Sequence, residues 1–323
     1  MNFNWPIVGH KKIVKFLQKT IEGGKISHAY LFYGPENLGK KSMAKFFAMS
    51  LICKGEKKPC LECSTCQGFL KNIHPDVIWL RKDEGKKNIS IEQMRDLKEK
   101  IGLSGFTNGY KIVIMVNAEE MTNEAANSFL KILEEPPQKS VIILLANKLR
   151  HIPETILSRC QTIKFAPVKK DEITEFIKKE YKLNQNQAEG IAALAVGLPG
   201  RANKFLKNKE FFDDFITNQN LFIKILESNI GQRLKIAKDV AENEGLAKII
   251  LRWKTLIRDL MFLKTGNEDL IVNQPLKSKI KKIAEKYNFE KIYFSAQALD
   301  NLSFYLDQNI NARLALDNFV INI

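Results

Sequence analysis

Three sets of residues in this 323-residue chain have types and spacings that could do chemistry. The first lies between Tyr30 and Lys45, YLFYGPENLGKKSMAK. An apolar run ends at Gly34, a short loop leads to Gly39 and Lys40, and a helical pattern follows. Strand, glycine loop and helix is the layout of a phosphate-binding P-loop, whose motif is G-x-x-x-x-G-K followed by Ser or Thr. Gly34, Gly39 and Lys40 fit it. The hydroxyl position holds Lys41, and the first hydroxyl comes one place late, at Ser42. In a working NTPase that hydroxyl holds Mg²⁺ while the loop N–H groups and the lysine hold phosphates. Gly34, Gly39 and Lys40 are therefore candidate nucleotide-binding residues in a loop poorly built for the metal.

The same enzymes need an Asp-Glu pair at the end of a second buried strand. The strand here is KIVIMV (Lys111–Val116), and the two positions where the pair belongs hold Val116 and Asn117. Valine binds no metal and asparagine is no carboxylate base. Glu119 and Glu120 come later, where the chain should already be turning. Both defects remove parts of the Mg²⁺ site and of the water-positioning machinery, so no catalysis in cis is expected. Two readings of the loop stand: a weak nucleotide site, or an empty scaffold.

The second set is Cys53, Cys60, Cys63 and Cys66. Two overlapping C-x-x-C steps and one upstream cysteine supply four thiolates, which suits a closed tetrahedral Zn²⁺ site of structural type. Free surface thiols are the plain alternative, and iron–sulfur ligation lacks any companion redox feature. The third candidate is Arg159, in Thr155–Cys160 (TILSRC). An arginine at the end of a short helix can reach out of its own subunit to a neighbour's phosphate; a surface salt bridge is the bland reading.

Alternating elements must carry these residues. Ile13, Val14, Leu17 and Ile21 share a helix face that Gly23-Gly24 stops. Met43, Phe46, Phe47 and Leu51 form the inner side of the helix after the loop. Val77–Leu80, Lys111–Val116, Val141–Ala146 and Thr162–Phe165 read as short buried strands, and Ser90 with Gln93 makes a capping-box start between them. The expectation is a parallel sheet with helices on both faces. After Pro167 strand signals cease and every strong pattern is helical. This predicts an α/β segment at 1–166 with the cysteine module at about 53–66, a helical lid at 167–208, and an all-helical domain at 209–323.

Composition narrows the partners. Residues 1–208 hold 34 Lys/Arg against 21 Asp/Glu, and residues 209–323 hold 17 against 15, so the net +15 is concentrated as +13 in the first part. That excess permits contact with a nucleic-acid backbone, or is simply a solvated surface. No apolar run approaches the roughly 18 residues of a membrane span, and the N-terminal MNFNWPIVGHKK lacks a signal-peptide core. A cytoplasmic protein is expected, with no membrane contact.

Taken together these stretches resemble the clamp-loader AAA+ family of bacterial DNA polymerase III. The resemblance runs over nearly the whole chain. It rests on Ile7–His10, His28–Phe32, the Gly34 loop, the four cysteines and His74-Pro75-Asp76, together with Asn127–Pro137 (NSFLKILEEPP), Thr155–Cys160 and Asn311–Leu316. It implies a AAA+ nucleotide-binding-type domain with a zinc module, a small helical lid and a helical collar that joins a hetero-oligomeric ring. It also implies a replication role as the loader's stationary, non-hydrolysing member within the polymerase holoenzyme. The implied partners are motor subunits of the gamma/tau type, the delta subunit, the sliding clamp, and primer-template DNA through the assembled complex. By the same resemblance Arg159 acts in trans as an arginine finger, and Arg201 matches a lid position where active relatives sense nucleotide. A gamma/tau-type motor is the alternative within the family, but it should carry the hydroxyl and the acidic pair missing here. A zinc-dependent nucleic-acid-binding module is the alternative outside it, and only Phe69 lies near the cysteines for base stacking.

Overall fold

The apolar runs of the first half pair into one parallel sheet. A computed structural model describes residues 2–103, 105, 109–243, 245–308 and 310–323. In it β1 (Asn2–Phe3), α1 (Lys11–Glu22), β2 (Ala29–Tyr33) and α2 (Lys40–Ile52) are followed by β3 (Lys57–Lys58), α3 (Ser64–Leu70), β4 (Val77–Leu80) and α4 (Ile91–Gly102). Then come β5 (Lys111–Val116), α5 (Asn123–Glu134), β6 (Ser140–Ala146), α6 (Glu154–Leu157) and β7 (Gln161–Lys164). The sheet order is β4-β5-β6-β2-β7, parallel throughout, with Tyr30 opposite Ile143 on one side of β2 and Gln161 on the other. Parallel neighbours cannot be joined by tight hairpins, so each connection runs through a helix. β1 and β3 form a separate two-stranded parallel pair.

Alternation along the strands divides the core between two faces. Tyr30, Phe32, Ile112, Ile114, Ile143 and Leu145 point to the face covered by α1 and α2, where Leu17, Met43 and Phe47 are fully buried. Ala29, Leu31, Val113, Met115, Ile142 and Leu144 point to the other, against Met94 and Leu97 of α4 and Phe129 and Leu133 of α5. Both sides of β5 and β6 are thus dry, as their unbroken apolar sequences required. The capping box between Ser90 and Gln93 forms at the start of α4. The expected α/β fold built on a P-loop sheet is present, followed by an all-helical remainder.

The chain divides into two compact units, Met1–Ile173 with Gly197–Gly200, and Thr174–Val196 with Arg201–Ile323. Helices α7 (Lys170–Tyr181), α8 (Gln185–Ala195) and α9 (Pro199–Lys207) lead into α10 (Lys209–Glu227), α11 (Ile230–Ala241), α12 (Leu246–Lys264), α13 (Lys277–Lys286), α14 (Phe289–Asp307) and α15 (Ala312–Ile321). The second unit is centred on Phe222, Trp253 and Phe319, whose rings stack at centroid distances of 4.9 to 6.3 Å. Among the described residues, no helix is long and apolar enough to cross a membrane.

Two charged side chains of that helical core, Arg233 and Asp259, are buried among the described residues. Arg233 of α11 is buried, and its guanidinium donates to Ile225 O at 2.9 Å, Ser228 O at 3.0 Å, Val320 O at 3.4 Å and also to Ile323 O. These are carbonyls at the C-terminal ends of α10 and α15, where intrahelical donors run out, and Ile225 O accepts from the Ser228 N–H as well. Replacing Arg233 by Met keeps much of the apolar stem and strands those carbonyls. Arg233→Met should destabilise the helical unit by about 3 kcal/mol, read as an earlier loss of far-UV circular dichroism in denaturant. An unchanged midpoint would show that the guanidinium is not what holds α10 and α15 together.

Candidate functional site

The P-loop of this chain is closed on itself. Gly34 sits at φ 140°, and a Cβ there would come within 2.3 Å of the Phe165 carbonyl oxygen, so no other residue lets the backbone past the end of β7. Gly39, at φ 92°, forms the N-cap of α2. Lys40 opens that helix with only 7% of its surface exposed. Its ammonium donates to Gly34 O, to Pro35 O at 2.8 Å and to Asn147 Oδ1 at 3.0 Å. An ammonium has three protons, and all three are committed within the protein. Burial draws its pKa down to about 8, against the raising pull of the Glu119 and Glu36 carboxylates.

Two further loop carbonyls, of Asn37 and Leu38, are also engaged. His10 Nε2 donates to Leu38 O at 3.1 Å, its ring packed edge-on against Phe165, and burial lowers the His10 pKa. Gly200 N donates to Asn37 O at 2.8 Å. Lys41, where the metal-binding hydroxyl would stand, instead lies with Nζ 5.3 Å from the centroid of the Trp79 ring. Ser42, one place on, is exposed.

The second half of the site gathers at the ends of β5 and β6. Val116 ends β5, Asn117 turns the chain at φ 56°, and Ala118–Glu120 form a single 3₁₀ turn, as anticipated. Asn147, just past β6, ties this turn to the loop. Besides accepting from Lys40, it donates from Nδ2 to Asn117 Oδ1 at 3.3 Å and from its backbone N–H to Glu119 Oε1 at 2.9 Å. The Glu119 carboxylate therefore does return toward the loop, although Glu119 lies beyond the strand end in sequence. One of its oxygens is held by the backbone, and the other is buried without a hydrogen-bond partner among the described residues. Glu120 accepts from Asn117 at 3.2 Å and pairs with Lys82 at 3.3 Å. Asn147 and His10 are site residues that motif reading missed. The end of an apolar strand is the only sequence signal for Asn147, and His10 lies in the Ile7–His10 stretch that carries the family resemblance, which says nothing of its contact with the loop.

The four cysteines come together as anticipated. Their Sγ atoms all lie within 4.8 Å of one another, with Cys60 and Cys66 Sγ 4.0 Å apart. Zinc–sulfur bonds of about 2.3 Å in a tetrahedron set sulfurs about 3.8 Å apart, so the set needs only small movements to close on one ion. Backbone N–H groups already point at the sulfurs. Gly55 and Cys60 donate to Cys53 at 3.3 Å, Cys63 to Cys60 at 3.3 Å, and Cys66 to Cys63 at 3.4 Å. Such donors favour thiolate over thiol. Burial alone would raise the Cys63 thiol, but the N–H groups of Cys66 and Lys54 and the adjoining thiols bring it down to about 6. The residues fit a closed structural zinc site with no open position for substrate. Freshly purified chain should carry one zinc, and Cys63→Ser with Cys66→Ser should lose it; elemental analysis finding no metal in the unaltered protein would contradict the fit.

Arg159 lies in the turn between α6 and β7. It is 37% exposed and pairs with Glu134 at 2.8 Å. Arg201 is half-buried in the first turn of α9.

Two family models match the chain: "DNA polymerase III, delta subunit" over residues 9–169, and "DNA polymerase III, delta subunit, C terminal" over residues 218–323. The DNA polymerase III subunit delta′ of Bacillus subtilis is 28% identical over 323 residues, covering 96% of this chain and 94% of that protein. The subunit delta′ of Pseudomonas aeruginosa is 38% identical over 136 residues, 42% of each chain. The subunit tau of Bacillus subtilis is 35% identical over 185 residues, covering 57% of this chain and 32% of tau. Near full-length similarity is thus to delta′ and also to the subunit gamma of Buchnera aphidicola, 27% identical over 324 residues, covering 89% of this chain and 86% of that protein, whereas similarity to tau covers a third of that longer protein. The chain belongs to the delta-prime family of DNA polymerase III clamp-loader subunits.

Proposed function

We propose that this chain is the non-hydrolysing stator of a bacterial sliding-clamp loader and that Arg159 acts in trans on the ATP bound by a neighbouring motor subunit. The observation that carries this reading is the contrast between its two phosphate-directed features. Lys40 is buried and fully committed to its own loop and to Asn147, while Arg159 is half-buried on a turn, with 37% of its side chain exposed and its guanidinium shared between its own turn and a surface ion pair with Glu134. A nucleotide entering at Gly34, Gly39 and Lys40 has to displace the lysine from three acceptors. It would still find Lys41 in place of the hydroxyl and Val116-Asn117 in place of the acidic pair. Phosphoryl transfer depends on positioning and charge neutralisation, and these losses remove both. The same defects weigh against a gamma/tau-type motor.

In this reading the partners are gamma/tau motor subunits and the delta subunit. Together they open the sliding clamp and place it on primer-template DNA in the cytoplasm during replication. Residues 1–166 supply the AAA+ frame, 167–208 a lid and 209–323 a collar that seats the chain in the ring. Zinc at Cys53, Cys60, Cys63 and Cys66 holds the loop between α2 and β4 and takes no part in the reaction. Arg201 has no assigned part, since the loop it would sense for lacks its metal site.

The test is Arg159→Ala in the reconstituted loader. Loss of a finger costs about 10³-fold or more at the site it serves. The whole loader should lose that site's share of its DNA-stimulated ATPase, with kcat falling and zinc content and circular dichroism unchanged. An unaltered rate would remove the finger from the account.

A further inference from the structure

Arg159 is held by three groups, and one of them is acidic. Nη1 donates to Thr155 O at 3.0 Å and to Ser158 Oγ at 3.3 Å, which tether the guanidinium to its own turn. Nη2 donates to Glu134 Oε1 at 2.8 Å, across 25 residues of sequence, at the last residue of α5. Glu134 stands there against local preference. The C-terminal end of a helix carries the negative end of its dipole and favours Lys or Arg, not a carboxylate. Glu135 follows at once as the C-cap, and Pro136 and Pro137 stop the helix. Two carboxylates at the wrong end of a helix bring no local stability, and a broken local rule of this kind points to a demand from elsewhere. The pair is also weakly held: the two side chains are 37% and 49% exposed, and exposed pairs contribute little. A phosphate offers the same planar fork more charge and more acceptor oxygens than one carboxylate oxygen does.

We propose that Glu134 is an internal stand-in for the phosphate. It holds the Arg159 fork in the free chain and gives it up only when a neighbouring subunit presents the γ-phosphoryl of a bound nucleoside triphosphate. This rests on the reading of Arg159 as a trans finger. No bond is made or broken; one anion replaces another on the guanidinium. Glu134 is then a positioning residue that sets the threshold for engagement. Before the ring closes it keeps the arginine ordered, charge-balanced and away from other anions, including nucleic-acid phosphates.

The test is Glu134→Gln in the reconstituted loader, beside Arg159→Ala and the double variant. Glutamine keeps the shape and a carbonyl acceptor but removes the competing charge. Without DNA or clamp, the ATPase should rise by about 2- to 5-fold, the range an exposed ion pair can supply. The rise should come through a lower ATP concentration for half-maximal rate, with the DNA-stimulated kcat within about twofold of the original. The melting temperature of the chain should hold, and the double variant should match Arg159→Ala alone. A Glu134→Gln loader with unchanged basal rate and unchanged half-maximal ATP, while Arg159→Ala lowers the rate, overturns the stand-in and leaves the finger. A fall in rate with Glu134→Gln also overturns it, because Glu134 would then be aiming the arginine rather than restraining it. If neither variant changes the rate, the finger reading itself fails.

Discussion

The fold of the first unit turns on three hydrogen bonds from one ammonium. Lys40 reaches back to Gly34 O, Pro35 O and Asn147 Oδ1, and so fastens the loop after β2 to the end of β6. Asn147 passes the connection on to Asn117 and Glu119 at the end of β5. Three strand ends that would surround a metal–phosphate complex in a working NTPase are joined here through the side chains of Lys40 and Asn147. A buried lysine without such partners would be costly, so the network is a structural necessity once the glycine loop and lysine are kept. What survives of the P-loop is its geometry.

That network also explains the division between what was legible in the sequence and what was not. Gly34, Gly39 and Lys40 announce the loop because only glycine allows the backbone past Phe165 and at the start of α2, and the buried runs of β5 and β6 announce the sheet through their composition. The four cysteines were equally readable, since metal ligation fixes residue type and spacing together. Asn147, His10 and the returning carboxylate of Glu119 were not. Each acts on a partner 28 residues away in sequence or, for Asn147 and Lys40, 107 away, and no local pattern encodes such a meeting. Strand register in the sequence places Glu119 in a turn, beyond the position of the acidic pair. It does lie in the turn, and its side chain is long enough to come back. The β1–β3 pair escaped notice because two-residue strands have no periodicity to detect.

Arg159 and Glu134 show the same limit from the other side. Each belongs to a short segment that stands out in sequence, TILSRC and LEEPP, yet nothing local says that the two segments touch. The pair makes sense of a carboxylate at the C-terminal end of α5 that helix energetics alone would reject. The two anion-directed cations of this unit are thus treated in opposite ways. Lys40 is sealed inside by neutral oxygens, while Arg159 is paired near the surface with the carboxylate of Glu134. The asymmetry is what the proposed stator role, contributing charge to a neighbour's chemistry and performing none itself, would require.

The central claim is that the Gly34–Lys40 loop has lost hydrolysis while keeping its shape. Its most direct test is ATP turnover by the purified chain alone, at saturating ATP and Mg²⁺, with and without primed DNA. The account predicts no phosphate release above the protein-free background under either condition. Turnover at a rate comparable to the loader's motor subunits, abolished by Lys40→Ala, would show a functional nucleotide site and contradict it.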